Sequence, residues 1–352
     1  MFPLFHVNQL VDVSQAVSKL SVFDARLLRR IAHDVIANIN TIEKWSKISS
    51  LTVAFAKLKL GHPGAWKVLC SWINANFKDA KVSDLSFAVS SCAVCNISDT
   101  IRPAAEHLAA NVDVSEAPSA FVWLNTVYAI AVCRALIPKL AETVLRQEFI
   151  DQVLTNADLA KRVFLVSRIA QIQSTVECKF GDGYHGPHIK LKALLPPNKE
   201  MQKQALINQY GKIGAFDAEF FHSVLYKIAP VGTHAVEPGL TADGIFVNAI
   251  VKLDEKRHFV PVNAFTSHPS APLAIVYLIR KHFVTTCEEE EPTRLLGSVD
   301  FGLRILRARG MEPVLFTETD MKSAKLLTQK IDVIKKKLYA ASDVHGDLSI
   351  PT

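Results

Sequence analysis

The sequence predicts an α-helical repeat solenoid followed by a small α/β C-terminal domain. Two observations carry this expectation. Apolar residues recur every three or four positions through the first half, and short apolar runs bounded by glycine and proline take over after Gly239. A chain of 352 residues with 49% hydrophobic content also has enough apolar mass for two separate cores.

The helical part is expected over residues 8–180. The segment from Trp45 sets Leu51, Phe55 and Leu58 on one face, and the next, opened by Pro63, sets Trp66, Leu69, Ile73 and Phe77 three or four apart. Leu85 and Val89 then precede a partner carrying Ile101, Ala105, Leu108 and Val112. A third pair places Phe121, Leu124 and Tyr128 before Leu140, Val144 and Leu145, with Pro138 at the entry. SSLTVAFAKLKL (49–60), SDLSFAVSSCAV (83–94) and SAFVWLNTVYAIAV (119–132) occupy equivalent places, at a period of roughly 34 to 38 residues typical of helix-pair repeats. Stacked pairs bury their faces on one another and form a solenoid with an extended binding surface.

Residues 181–235 read as a junction. GDGYHGPHIK and ALLPPNKEMQ carry its glycines and prolines, and Gln202–Ile228 carries a helical pattern. Residues 236–342 read as strand, strand, helix, strand, helix, and 343–352 as a tail. Within this domain LAIVYLIRKHFV (273–284) has no charge from Leu273 to Ile279 and then turns basic at Arg280, Lys281 and His282. A continuous apolar run of that length is a strand covered on both faces. The last helix shows Leu327, Ile331, Ile334 and Leu338 at spacings of four, three and four.

Composition narrows the function classes. The net charge of +6 is compatible with nucleic acid without requiring it. The six cysteines sit mostly in apolar helical context, as buried free thiols would. Cys92 and Cys95 form one CxxC, for which only His185 and His188 could complete a zinc site, so no metal is expected. No apolar run approaches the roughly 20 residues that span a bilayer. The first 20 residues contain one acid and one lysine and lack the arginines of a mitochondrial transit peptide, so an import signal is either absent or atypical. There is no glycine-rich phosphate loop, GxSxG or HExxH, and no cofactor is expected.

RLLGSVDFGLRILRARGMEPVLFTETDM (294–321) resembles the RAP domain, which closes proteins of the Fas-activated serine/threonine kinase family. The features that carry the resemblance are Gly297 and Ser298 at a turn, Arg304 and Arg307 on a helix, Gly310, and the strand from Pro313 to Phe316. His282 and Phe283 match the end of an upstream family strand, and the helical pairs resemble those of octotricopeptide-type organellar RNA-binding proteins. The resemblance implies a restriction-endonuclease-like fold, RNA binding and a mitochondrial matrix location. Nucleases of that fold hold a divalent ion with carboxylates on adjacent strands. Registered on His282 and Phe283, those carboxylate places fall at Val276, Leu278 and near Asn248, so the acids are missing and no catalytic residue is expected. A second register on LDEKRHFV (253–260) offers Asp254, but it leaves the 273–279 strand unexplained and puts a long insertion before Gly297.

The expected function is therefore a non-catalytic binder of mitochondrial RNA, with ribosomal RNA and ribosomal proteins as partners in or around the mitochondrial ribosome. Arg280, Lys281, His282, Arg304, Arg307 and Arg309 are the expected RNA-contacting residues, with Val299, Leu303 and Leu306 as the sheet-facing stripe of their helix. Two alternatives stand beside it: a metal-dependent RNA endonuclease using Asp254, and a protein scaffold with a relic RAP domain. EEEE (288–291) reads as a solvated loop, and Lys335, Lys336 and Lys337 face either RNA or solvent.

Overall fold

Helical pairs run through the first part of the chain: α1 (Val7–Lys19), α2 (Ala25–Asn38), α3 (Trp45–Leu58), α4 (Pro63–Asn76), α5 (Val82–Val94), α6 (Ser98–Asn111), α7 (Ala120–Val132) and α8 (Pro138–Leu145). The structure is a computed structural model. It describes residues 5–343 except 156, 196–197, 199–200, 202–205, 207–214, 230–231, 234–237 and 288–293. α1, α3, α5 and α7 pack each on the next, and α2, α4 and α6 do the same in a second layer. The odd helices begin 38, 37 and 38 residues apart, so the array is a true repeat. Leu51, Phe55 and Leu58 on α3 and Trp66, Leu69 and Ile73 on α4 are fully buried between layers. Phe121, expected in that core, is 41% exposed instead.

Each odd helix ends in the same way. Ser21, Lys59, Asn96 and Arg134 take left-handed backbone with φ of 52°, 52°, 56° and 61°. The next residue then donates its N–H five positions back: Val22 to Val17 O, Leu60 to Phe55 O, Ile97 to Cys92 O and Ala135 to Ile130 O, at 2.8–3.0 Å. This is the Schellman closure, which ordinarily uses glycine because other residues crowd the carbonyl there. Starts are set by Pro63 and Pro138 in the first turns of α4 and α8, and by the Asp24 side chain accepting from Leu27 N on α2.

The chain continues through α9 (Gln147–Leu154), α10 (Leu159–Phe180), α11 (Leu191–Leu194) and α12 (Ala215–Ile228). The strands are β1 (Gly239–Leu240), β2 (Phe246–Val247), β3 (Ala249–Val251), β4 (Leu273–Leu278) and β5 (Glu312–Thr317). α13 (Gly297–Ala308) joins β4 to β5, and α14 (Glu318–Ser323) and α15 (Leu327–Asp343) close the described chain. By contact the chain divides into two units, neither of them continuous in sequence. One gathers Met1–Val153, Phe180–Pro187 and Lys281–Phe301; the other gathers Leu154–Lys179, His188–Arg280 and Gly302–Thr352.

In the first unit the 281–301 segment is stitched to the array by backbone pairing. Leu60 bridges Thr285, and Phe283 bridges Leu295. Thr285 N donates to Lys59 O at 2.6 Å and Gly61 N donates to Thr285 O at 2.9 Å. Gly297 lies so close to α5 that an added Cβ would sit 1.8 Å from the Ala93 carbonyl oxygen, so only glycine fits.

In the second unit β4 is the central strand, antiparallel to β3 and parallel to β5, with Ile275 opposite Ala249 and Val314. All six of its residues are buried, as the uncharged run predicts. Leu273, Ile275 and Tyr277 pack with Phe221 and Leu225 of α12 and with Ile334 and Leu338 of α15. Ala274, Val276 and Leu278 point to the opposite face by the two-residue alternation of a strand.

Candidate functional site

Where a restriction-like nuclease would carry acids, this sheet carries none. Val276 and Leu278 are 8% and 2% exposed, among apolar neighbours. Asn248, at 3% exposure, repairs the break between β2 and β3: its side chain accepts from Tyr277 N at 2.7 Å and its own N–H reaches Ile275 O at 2.8 Å. It acts there as a surrogate backbone carbonyl, a role a carboxylate would fill only by burying charge. The other register fares no better geometrically. Asp254 closes a hairpin turn, accepting from His258 N at 2.7 Å, and this backbone hydrogen bond holds its carboxyl below the usual range. Arg257, in the same turn, has left-handed backbone with φ of 63°.

The six expected cationic contacts fall into three situations. Arg280 is exposed at the end of β4. Lys281 and His282 follow it in a short 3-10 turn and are half-buried, and Leu296 N donates to His282 O just before α13 begins. On α13, Arg307 is exposed, with its Nε 3.8 Å from Glu312, and Arg304 is half-buried. Leu303 and Leu306 are buried as expected, but so are Phe301 and Ile305, while Val299 is only half-buried. The apolar surface of this helix is therefore broader than one stripe.

Arg309 is engaged within the fold. Its Nε donates to Asp243 Oδ1 at 2.8 Å and its Nη2 to Glu177 Oε2, while Ser174 Oγ donates to the same Asp243 oxygen at 2.7 Å. Burial pushes the Glu177 carboxyl up, but hydrogen bonds from Arg309 and Gln173 outweigh it and leave the group below its ordinary value. Lys337 is similar. Its ammonium donates to Asp320 at 2.6 Å and to the Leu315 carbonyl at 3.0 Å; of the lysine run Lys336 is exposed and Lys335 half-buried.

Sequence reading missed two cations in the first unit. Lys59 Nζ donates to the Lys281 carbonyl at 3.0 Å, and Arg294 Nη2 donates to the Gly61 carbonyl at 3.3 Å. The backbone pairing of 59–61, 283–285 and 294–296 brings Lys59, Lys281 and Arg294 onto adjacent segments, all half-buried. Burial lowers the Lys59 and Lys281 ammonium pKa values, and Lys59 adds to the lowering at Lys281. Burial, with Lys281 and Lys59 beside it, brings His282 down to about 4, so its ring is neutral at pH 7. Partners 222 and 233 residues apart leave no local signal that could have found them.

No protein-family model matches this chain, and no curated protein is similar to it.

Among the described residues no group of three or more His, Cys, Asp or Glu is arranged to hold a metal. Cys92 and Cys95 are buried in the array, where burial pushes the Cys95 thiol up to about 12. His188, their supposed partner, lies 3.1 Å from Glu177. Cys70, Cys133 and Cys287 are also buried, and Cys178 is exposed. No helix among the described residues is long and apolar enough to cross a membrane. The run 288–291 and the tail beyond Asp343 lie outside the described residues. The array also carries an apolar groove of about 390 Å³ over α5 and α7, flanked by Phe87 and Phe121 and walled by Val112 and Pro118.

Proposed function

We propose that this chain is a non-catalytic RNA-binding protein of the mitochondrial matrix, holding ribosomal RNA as a component or assembly factor of the mitochondrial ribosome. The observation that carries the reading is the half-buried cation cluster of Lys59, Lys281 and Arg294 in the first unit. Half-buried cations favour holding a phosphate, and a β4 strand without acids does not offer the metal-activated water that a restriction-like nuclease uses. The resemblance of 294–321 to the RAP domain supplies the RNA and the organelle. Arg280, Arg304 and Arg307 extend the basic surface in this reading, and Arg309 belongs to the fold.

Ultraviolet crosslinking in cells, with sequencing of the bound RNA, tests this directly. Recovery of mitochondrial ribosomal RNA is the expected result, and recovery of protein neighbours alone overturns it. The apolar groove over α5 and α7 favours a second reading, a protein scaffold, which that outcome would support.

A further inference from the structure

We infer that the turn between α1 and α2 of one copy of this chain seats in the apolar groove over α5 and α7 of a second copy. The contact does not rest on RNA binding.

The repeat shows which turn is unusual. In the three later turns the residue after the left-handed position is buried: Leu60, Ile97 and Ala135. Leu60 is bridged by Thr285. The first turn closes in the same way, with Ser21 left-handed and Val22 N donating to Val17 O at 3.0 Å, yet here Val22 is exposed. Leu20 and Phe23 beside it are 75% and 60% exposed. A single exposed leucine needs no explanation, but three apolar residues within four on one convex turn form a patch of the kind that marks a contact.

The groove is the matching concavity, in the same unit of the chain. Phe87 and Phe121 flank it, and Val114 stands exposed on the neighbouring 3-10 turn Val114–Glu116. At about 390 Å³ it lies at the small end of binding pockets, a size for one or two side chains. α1 packs on α3 and α3 on α5, so the turn cannot reach the groove of its own molecule.

Charge orients the pairing. Exposed Lys19 and Arg26 bracket the turn, and exposed Asp113 and Glu116 bracket Val114 at the groove. Hydrogen bonds from Ser115 hold the Asp113 carboxyl below its usual range, so it is ionised at neutral pH. Each side also holds charge of the other sign. Asp24 caps α2 through Leu27 N, and Lys139 and Lys81 lie near the groove. The apolar contact therefore carries the affinity. A few seated side chains bury well under the roughly 1,200 Å² of a stable interface, so the association is weak and reversible, in the range of tens of micromolar.

Sedimentation velocity of the full chain, from about 1 to 200 µM, tests this. The average sedimentation coefficient is expected to rise across that range. Leu20→Glu/Phe23→Glu removes the turn and keeps the groove, while Phe87→Lys removes one groove wall and keeps the turn. All three side chains are exposed, so both variants should fold, as circular dichroism would verify. Each alone should need at least about tenfold more protein to associate. Mixed one to one they should pair again, because the intact groove of one meets the intact turn of the other. A parent protein that stays monomeric throughout overturns the inference, and this arm needs no variant. So does a parent whose association is unchanged by either variant, or a mixture that fails to pair. A monomeric parent that floats with phosphatidylglycerol vesicles, and ceases to once Leu20 and Phe23 are replaced, assigns the turn to an anionic membrane surface instead.

Discussion

His282 couples the fold to pH. Its folded pKa of about 4 lies below the unfolded value of about 6.5, because a half-buried ring beside Lys281 and Lys59 resists a proton. The neutral ring is favoured by folding, so the stability it protects is complete above pH 6.5 and is lost as pH falls toward 4. The loss is on the order of 3 kcal/mol at most. Urea midpoints between pH 7 and 4 should fall for the parent protein, and His282→Gln should flatten that fall. A parallel fall in the variant would assign the acid sensitivity elsewhere. A second single residue tests the array. Arg134 holds left-handed backbone, and among the described residues its ion pair is a long, exposed one with Asp99 at 3.8 Å. Arg134→Gly removes the Cβ crowding and should raise stability by about 1 kcal/mol, read as a higher melting temperature. The repeat's four left-handed residues are Ser, Lys, Asn and Arg, so nothing in the sequence marked them; only their spacing does.

At the scale of elements, what the sequence made legible is what depends on period. The apolar spacing of α3, α4 and α6 and the uncharged run of β4 are local patterns with local causes, and their residues are buried as expected save Phe77 and Val112 at the helix ends, which are half-buried. What depends on distant partners was not legible. Arg309 looks like any exposed arginine after a helix until Asp243, 66 residues earlier, and Glu177, 132 residues earlier, come to meet it. Phe121 carries the spacing of a core residue, but it lies beside an open groove and stays exposed. Strand β4 gives the sharpest test of the element assignment. Leu278 is 2% exposed and pairs with Thr317 of β5. Leu278→Asp would bury an unpaired carboxylate and should destabilise by several kcal/mol, enough to abolish cooperative unfolding at 37 °C. A variant melting like its parent would show the strand to be solvated.

At the scale of the whole molecule, the basic residues should separate into those that bind and those that fold. Replacing Arg304 and Arg307 together by Ala should weaken RNA binding and flatten the dependence of log K on log salt by roughly 1 to 1.5 units, since each single-strand phosphate contact contributes about 0.7. Sequence preference should hardly move, because phosphate contacts carry no base information. Unchanged affinity and slope in a folded double variant would take α13 out of the interface. Arg309→Ala should behave in the opposite way. It strands Asp243, only 10% exposed, and Glu177 without their cation, at a cost of roughly 2–4 kcal/mol of folding free energy. A variant of Arg309 that melts normally but binds poorly would move this residue back among the RNA contacts.

The stitching of the 281–301 segment onto the end of α3 also has a consequence in time. Lys59 emerges from the ribosome 222 residues before Lys281, the residue whose carbonyl it holds. At synthesis rates of about 5–20 residues per second, the edge formed by Lys59, Leu60 and Gly61 waits roughly 10 to 45 s for its partner strand. Through that interval the nascent array exposes unpaired backbone and the apolar Leu60, which is fully buried once Thr285 arrives. The helical repeats are thus the part made first and finished last, and a nascent chain released before residue 301 would carry an open edge suited to chaperones or to aggregation.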